Sequence, residues 1–150
     1  MKIFVDSSVI VEYIKGNQID LLENLISSEN ELFVNAIVYS EFMFYYLAVI
    51  GEKSPLTLKE NKLVKSIIEK HKPIELFQNF QTIPIDYEVI NLSYDLMQKY
   101  NFLPNDALIL ATVKISGIKY LASFDENDFL LPCKKEKIKF VKTISDIKSA

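Results

Sequence analysis

The chain has 150 residues, 49% hydrophobic and 25% charged, with a formal net charge of −3. That length and composition describe one folded domain with a core of its own and exclude a disordered chain. The single cysteine, Cys133, excludes an intrachain disulfide, and the single histidine, His71, sits between Lys70 and Lys72 in what reads as a solvated helix end, which argues against triad catalysis and a zinc site.

The run Ile3-Phe4-Val5 predicts a buried strand. Ser7 or Ser8 can cap a helix that runs through Val9, Ile10 and Tyr13 and ends near Gly16. A second helix is expected over residues 19–26 and a second strand at Leu32-Phe33-Val34. A long helix over 36–50, stopped by Gly51, comes next. Pro55 and Thr57 open one further helix carrying Leu63, Ile67 and Ile68. A strand is expected over 80–85, helices over 87–100 and 104–116, with Gly117 as the stop, and strands over 120–123 and 138–141. Strands alternating with helices predict a parallel sheet covered on both faces, with right-handed crossovers and ligands beyond the carboxyl ends of the strands. Three glycines in all leave no Gly-rich phosphate loop.

The informative feature is where isolated acids fall. Asp6 follows the first strand and is the only charge between Lys2 and Glu12. Glu41 is the only charge between Glu31 and Glu52, and Asp106 the only one between Lys99 and Lys114. Asp125 and Asp128 follow the fourth strand. An acid in apolar surroundings without a basic neighbour is costly to bury. Two carboxylates ~4 Å apart repel by about 4 kcal/mol at an effective dielectric near 20. Mg²⁺ or Mn²⁺ turns that repulsion into attraction, and a carboxylate cluster holding such ions suits phosphodiester hydrolysis.

The spacing resembles the PIN domain family, and among its members the VapC-like toxin ribonucleases. Phe4-Val-Asp6-Ser-Ser8-Val-Ile is similar to the family's opening motif. Ser40-Glu41 is similar to its helix acid, Pro104-Asn-Asp106-Ala-Leu-Ile-Leu-Ala to its third acid, and Leu121-Ala-Ser123-Phe-Asp125-Glu-Asn-Asp128-Phe129 to its fourth motif. The resemblance covers almost the whole chain and implies a PIN-like three-layer α/β/α sandwich with a central, mostly parallel five-stranded sheet, residues 1–150 forming a single nuclease domain. It implies Asp6, Glu41, Asp106 and Asp125 as catalytic metal ligands for Mg²⁺ or Mn²⁺, with Ser8 and Ser123 as supporting hydroxyls. Asp128 competes with Asp125 for the fourth place, because the run Asp125-Glu126-Asn127-Asp128 is acidic where the family often carries a basic residue. The implied activity is RNA hydrolysis by a homodimeric toxin held by a small antitoxin.

Each acid also has a plainer reading. Asp6 can cap a helix, Asp106 can answer a helix dipole after Pro104, Glu41 can pair with a distant lysine, and Asp125 and Asp128 can be turn residues. Phe42, Phe44, Tyr45 and Tyr46 read as core or dimer surface before base-stacking platforms. Lys134, Lys135, Lys137, Lys139 and Lys142 read as a solvated edge strand or a phosphate path. Alternative functions are an inactive PIN-like RNA- or protein-binding module, or an RNA-processing or rRNA-maturation nuclease outside a toxin pair. A phosphoryl-transfer receiver fits poorly, since Ser7 and Ser8 stand where a second acid is needed. Every basic residue is a lysine, so guanidinium clamps on phosphate are excluded. No targeting segment is read, and no apolar run approaches the ~20 residues of a membrane span, so a cytoplasmic protein is expected.

Overall fold

The strand β1 (Lys2–Val5) occupies the middle of the sheet, and its apolar residues Ile3, Phe4 and Val5 are wholly buried. In the computed structural model, which describes residues 1–148, β1 is followed by α1 (Ser7–Ile14), α2 (Asp20–Ser27), β2 (Glu31–Asn35) and α3 (Ala36–Gly51). Then come α4 (Pro55–Glu60), α5 (Val64–His71), α6 (Ile74–Phe77), β3 (Gln81–Ile83), α7 (Tyr87–Tyr100) and α8 (Pro104–Ile115). The chain continues with β4 (Tyr120–Ala122), α9 (Glu126–Lys135), β5 (Lys139–Val141) and α10 (Ile144–Lys148). The sheet order is β3-β2-β1-β4-β5, and each pairing in it is parallel. The expected mostly parallel sheet is therefore parallel throughout the described residues.

The order sets where a ligand can sit. From β1 the chain steps outward through β2 to β3, then returns to the other side of β1 for β4 and β5. With right-handed crossovers, α1 to α6 cover one face and α7 to α9 the other. The direction of winding reverses between β1 and β4, and a crevice opens there beyond the strands' carboxyl ends. One hydrophobic core runs through both layers, with Phe4, Ile10, Leu22, Phe42, Leu110 and Phe129 wholly or almost wholly buried in it.

Three sequence expectations change, and α6 and α10 also stand where no helix was expected. The single helix expected after Pro55 is broken: α4 ends at Asn61, Lys62 takes a left-handed φ of 57°, and α5 starts afresh. The stop of the long helix is Glu52, at φ 52°, while Gly51 is its last residue. Gly51 matters for approach: a Cβ there would lie 2.6 Å from a Leu58 methyl, so a larger residue would force the buried Leu58 side chain of α4 to shift away from α3. Finally, α9 stands where no helix was expected, with Pro132 inside it. Of the lysines beyond it, Lys134 and Lys135 end α9 and Lys139 lies on the edge strand β5. No described helix is long and apolar enough to cross a membrane.

Candidate active site

The parallel register builds the site. Val5 pairs with Ala122, so one step further Asp6 stands level with Ser123, and Phe4 pairs with Phe33, so two steps further Asp6 stands level with Asn35 on the other side. These three are buried polar residues, Asn35 and Ser123 at 0% exposure and Asp6 at 4%. A row of polar groups thus closes the carboxyl edge of an otherwise apolar sheet at the switch point.

Asp6 combines its plain reading with the functional one. It is the N-cap of α1, accepting weakly from the Ser8 amide at 3.4 Å. The same Oδ2 accepts from Ser8 Oγ at 2.6 Å and Ser123 Oγ at 2.8 Å. The two hydroxyls lie 3.2 Å apart. Ser8 Oγ also accepts the Phe124 amide and Ser123 Oγ the Asp125 amide, both at 3.0 Å. The serines therefore lock the carboxylate of β1 to the turn after β4, which makes both of them supports of Asp6. Burial raises the Asp6 pKa, and the hydrogen bonds from Ser8 and Ser123 work against it.

Glu41 and Asp106 arrive from helices. Asn35 Oδ1 caps α3 by accepting from Ile37 N and Val38 N, both at 3.1 Å, and Glu41 projects from the second turn. Asp106 lies in the first turn of α8, which Pro104 opens. Asn35 Nδ2 donates to Thr112 Oγ1 of α8 at 2.9 Å, and Thr112 Oγ1 donates to Leu108 O at 2.7 Å. The helix of Glu41 is thus tied to the helix of Asp106 through two buried side chains. Sequence reasoning missed both, because a neutral Asn before a helix looks like any cap.

A cavity of about 280 Å³ has Asp6, Glu41, Asp106 and Asp125 on its wall, together with Ser7, Ser8 and Tyr45. Four acids from four segments of the chain meet there. Asp128 does not line it; Asp128 sits exposed in the first turn of α9, where Asp125, the N-cap, accepts its amide at 3.1 Å. Asp128 is still near enough to raise Asp106. The cavity wall also includes Val11, Glu12 and Lys15, which follow Ser8 at helical spacing along α1. That periodicity was the available signal for them. The aromatic run divides likewise: Phe42 and Tyr46 are buried core residues, while Tyr45, one turn beyond Glu41, faces the cavity.

The electrostatics of the cavity are those of unneutralised acids. No lysine forms an ion pair with Asp6, Glu41, Asp106 or Asp125 among the described residues. Glu41 Oε1 is buried without a hydrogen-bond partner. The Glu41 pKa is pushed up to about 7 by burial first, then by Asp6 and Asp106, with a Ser7 hydrogen bond opposing. Asp106 is pushed up to about 6 by burial, Asp128, Asp6 and Asp125. As they stand, no three Asp, Glu, His or Cys side chains among the described residues are grouped tightly enough to hold a metal ion. The donor set nevertheless fits a hard divalent cation: all its ligand atoms are oxygens, one of them buried and unpartnered, and the charges repel until neutralised. Thiol chemistry is not available, since Cys133 is wholly buried and burial pushes it up to about 12.

Fold and site together define a parallel α/β protein with a carboxylate pocket at its switch point. The PIN domain family model matches residues 3–132, and the chain belongs to that family. It is 33% identical to ribonuclease VapC2 of Methanocaldococcus jannaschii, over 86% of this chain and 91% of that protein. It is also 33% identical to ribonuclease VapC6 of the same organism, over 96% and 97%. Among solved structures it is similar to a toxin–antitoxin complex from Klebsiella pneumoniae, with a TM-score of 0.62 and 17% identity over 93% of this chain and 95% of that one. FitAcB from Neisseria gonorrhoeae gives a TM-score of 0.61 and 19% identity over 93% and 96%. At those identities the structural likeness speaks to the fold.

Proposed function

We propose that this chain is an endoribonuclease that hydrolyses RNA phosphodiester bonds with Mg²⁺ or Mn²⁺, as the toxin of a toxin–antitoxin pair. The observation that carries the reading is the meeting of four unpaired acids in one pocket, with a buried Glu41 oxygen that no protein group satisfies. The relatives named as VapC ribonucleases support RNA as substrate, and the similar toxin–antitoxin complex supports an antitoxin partner.

Asp6, Glu41 and Asp106 would hold the cation, with Asp125, which lines the pocket, as fourth ligand in preference to Asp128. What such a cation supplies when bound is activation of water near neutral pH and neutralisation of charge on the phosphate oxygens. The protein's own part is positional. Ser8 and Ser123 hold Asp6 in one orientation, and the Asn35–Thr112 pair fixes the helices that present Glu41 and Asp106. Glu41 and Asp106, raised to about 7 and about 6, must release their protons as the cation is taken up, so affinity rises with pH across that interval. Lys15, on the cavity wall and paired with Glu12, is the cation placed to meet a phosphate of the substrate.

The test is cleavage of RNA by the purified protein with Mg²⁺ or Mn²⁺. EDTA abolishes cleavage, and Asp106→Asn does so without unfolding the protein. Cleavage that persists in EDTA removes the metal mechanism. Wild-type protein that neither cleaves RNA nor binds Mn²⁺ favours a PIN-like binding module instead.

A further inference from the structure

A larger cavity, of about 470 Å³, opens beside the carboxylate pocket. The two share the turn between β4 and α9: Phe124 lines the larger cavity, and the next residue, Asp125, lines the carboxylate pocket. The rest of its wall includes Gln18 from the α1–α2 connection, Asp20 and Asn24 of α2, and Lys142 and Thr143 after β5. The volume lies within the ~300–1,000 Å³ usual for small-ligand pockets.

The lining excludes an anion as the natural occupant. Its two charged residues, Asp20 and Lys142, cancel, and the Lys142 ammonium is already held by Glu126. What remains is an aromatic ring, the aliphatic side chains of Leu21 and Ile144, two primary amides and the hydroxyls of Thr143 and Ser145. That is the chemistry that receives a flat, neutral heterocycle with hydrogen-bonding edges, which is a nucleobase. Asn24 Nδ2 donates to Asp20 O at 2.7 Å, leaving its Oδ1 as an acceptor toward a ligand. The far wall is preorganised: Asp146 Oδ2 accepts from the amides of Lys142 and Thr143 at 2.9 and 2.7 Å and from Thr143 Oγ1 at 3.1 Å.

The charge of the whole chain gives such a pocket a purpose. A net charge of −3, no arginine and an acidic catalytic pocket offer little electrostatic attraction to RNA. Affinity must come largely from the bases. We propose that this cavity takes one unstacked base of the RNA substrate, flanking the scissile phosphate, and thereby sets a base preference at one position of the cleavage site. The proposal rests on the ribonuclease reading given above.

Two measurements separate the fate of the two readings. In the first, cleavage is followed on single-stranded RNAs that carry each of the four bases at each flanking position. Phe124→Leu, which keeps apolar volume and loses the ring, raises KM for the preferred base about tenfold with kcat little changed, a typical cost of losing one stacked base. Gln18→Ala and Asn24→Ala change which base is preferred, and thermal melts of all three variants establish that they fold. An unchanged preference in all three folded variants overturns the proposal. In the second, ¹⁵N-labelled Asp106→Asn protein is titrated with a 2′-O-methyl oligonucleotide and with versions lacking one base in turn. Loss of one particular base abolishes the shifts of the Asn24, Phe124 and Thr143 amides. Shifts confined to the carboxylate pocket overturn the base site, whether or not the wild type cleaves RNA; base-dependent shifts with an inactive wild type sustain the base site and remove the nuclease.

Discussion

Replacing Glu41 by Gln should stabilise the metal-free protein while destroying metal binding. The side chain keeps its shape, but a half-buried carboxylate facing Asp6 and Asp106 loses its charge. A rise from 4.5 to about 7 corresponds to about 3 kcal/mol at 1.36 kcal/mol per pH unit. Because the group is only half-buried, water screens part of this, and about 1–2 kcal/mol is the expected effect. The sign follows from the direction of the shift. The folded state favours protonated Glu41, so this contribution to stability is fully present below pH 4.5 and is lost as pH rises through about 7. In EDTA at pH 8, Glu41→Gln should therefore melt roughly 2–8 °C above wild type, at ~2–4 °C per kcal/mol for a chain of this size. Near pH 4.5 the difference should close. Adding Mg²⁺ or Mn²⁺ should reverse the order, because wild type gains about 2.7 kcal/mol at one hundred times its Kd and the variant does not. Thermal melts by circular dichroism at pH 4.5, 6 and 8, with EDTA and with metal, read all of this. A variant less stable than wild type in EDTA at pH 8 would mean that protein groups stabilise the Glu41 charge by more than burial, Asp6 and Asp106 cost it, and the reasoning would fail.

Ser123→Ala removes the 2.8 Å hydrogen bond to Asp6 and the acceptor of the Asp125 amide; a loss of about 1–3 kcal/mol in urea unfolding is expected. In a carbon-detected NMR titration the Asp6 carboxyl should move still higher. Asn35→Ala leaves two helix amides uncapped and Thr112 without its partner, costing about 1–3 kcal/mol. Asn35→Ser should restore the cap and part of that loss, but not the tie to α8. Glu136 accepts from Lys99 at 2.7 Å, Tyr100 at 2.5 Å and Lys114, joining the end of α9 to α7 and α8. Burial raises its pKa, and these three partners more than reverse that, to about 2. Its contribution is present above pH 4.5 and is lost as pH falls through about 2. Glu136→Gln should therefore weaken the fold at pH 7 in thermal melts and flatten its loss of stability in acid.

Asp6, Glu41 and Asp106 were legible because each breaks an apolar run: a lone charge between Glu31 and Glu52 stands out without any knowledge of the fold, whereas Asp125 lies in an acidic run and was legible mainly through the family resemblance. The strands were legible as short β-branched runs. What the sequence could not display is adjacency. Asp6 and Ser123 are 117 residues apart, and only the pairing of β1 with β4 sets them side by side. The Asn35–Thr112 tie was hidden for the same reason, since each residue alone looks like an ordinary cap or helix hydroxyl. Helix α9 went unread; Pro132 suits a helix interior poorly, and the burial of Phe129 and Cys133 overrides it here. The break between α4 and α5 was hidden because no glycine or proline marks it; Lys62 adopts the left-handed backbone instead.

The most direct test of the central claim, that the acids at the switch point gather a divalent cation, is calorimetric titration of the metal-free protein with Mn²⁺ between pH 5.5 and 7.5. Saturable binding is expected, tightening as Glu41 and Asp106 lose their protons, releasing protons to the buffer, and absent in Asp106→Asn. Binding that is absent in wild type, or that survives unchanged in Asp106→Asn, would contradict it.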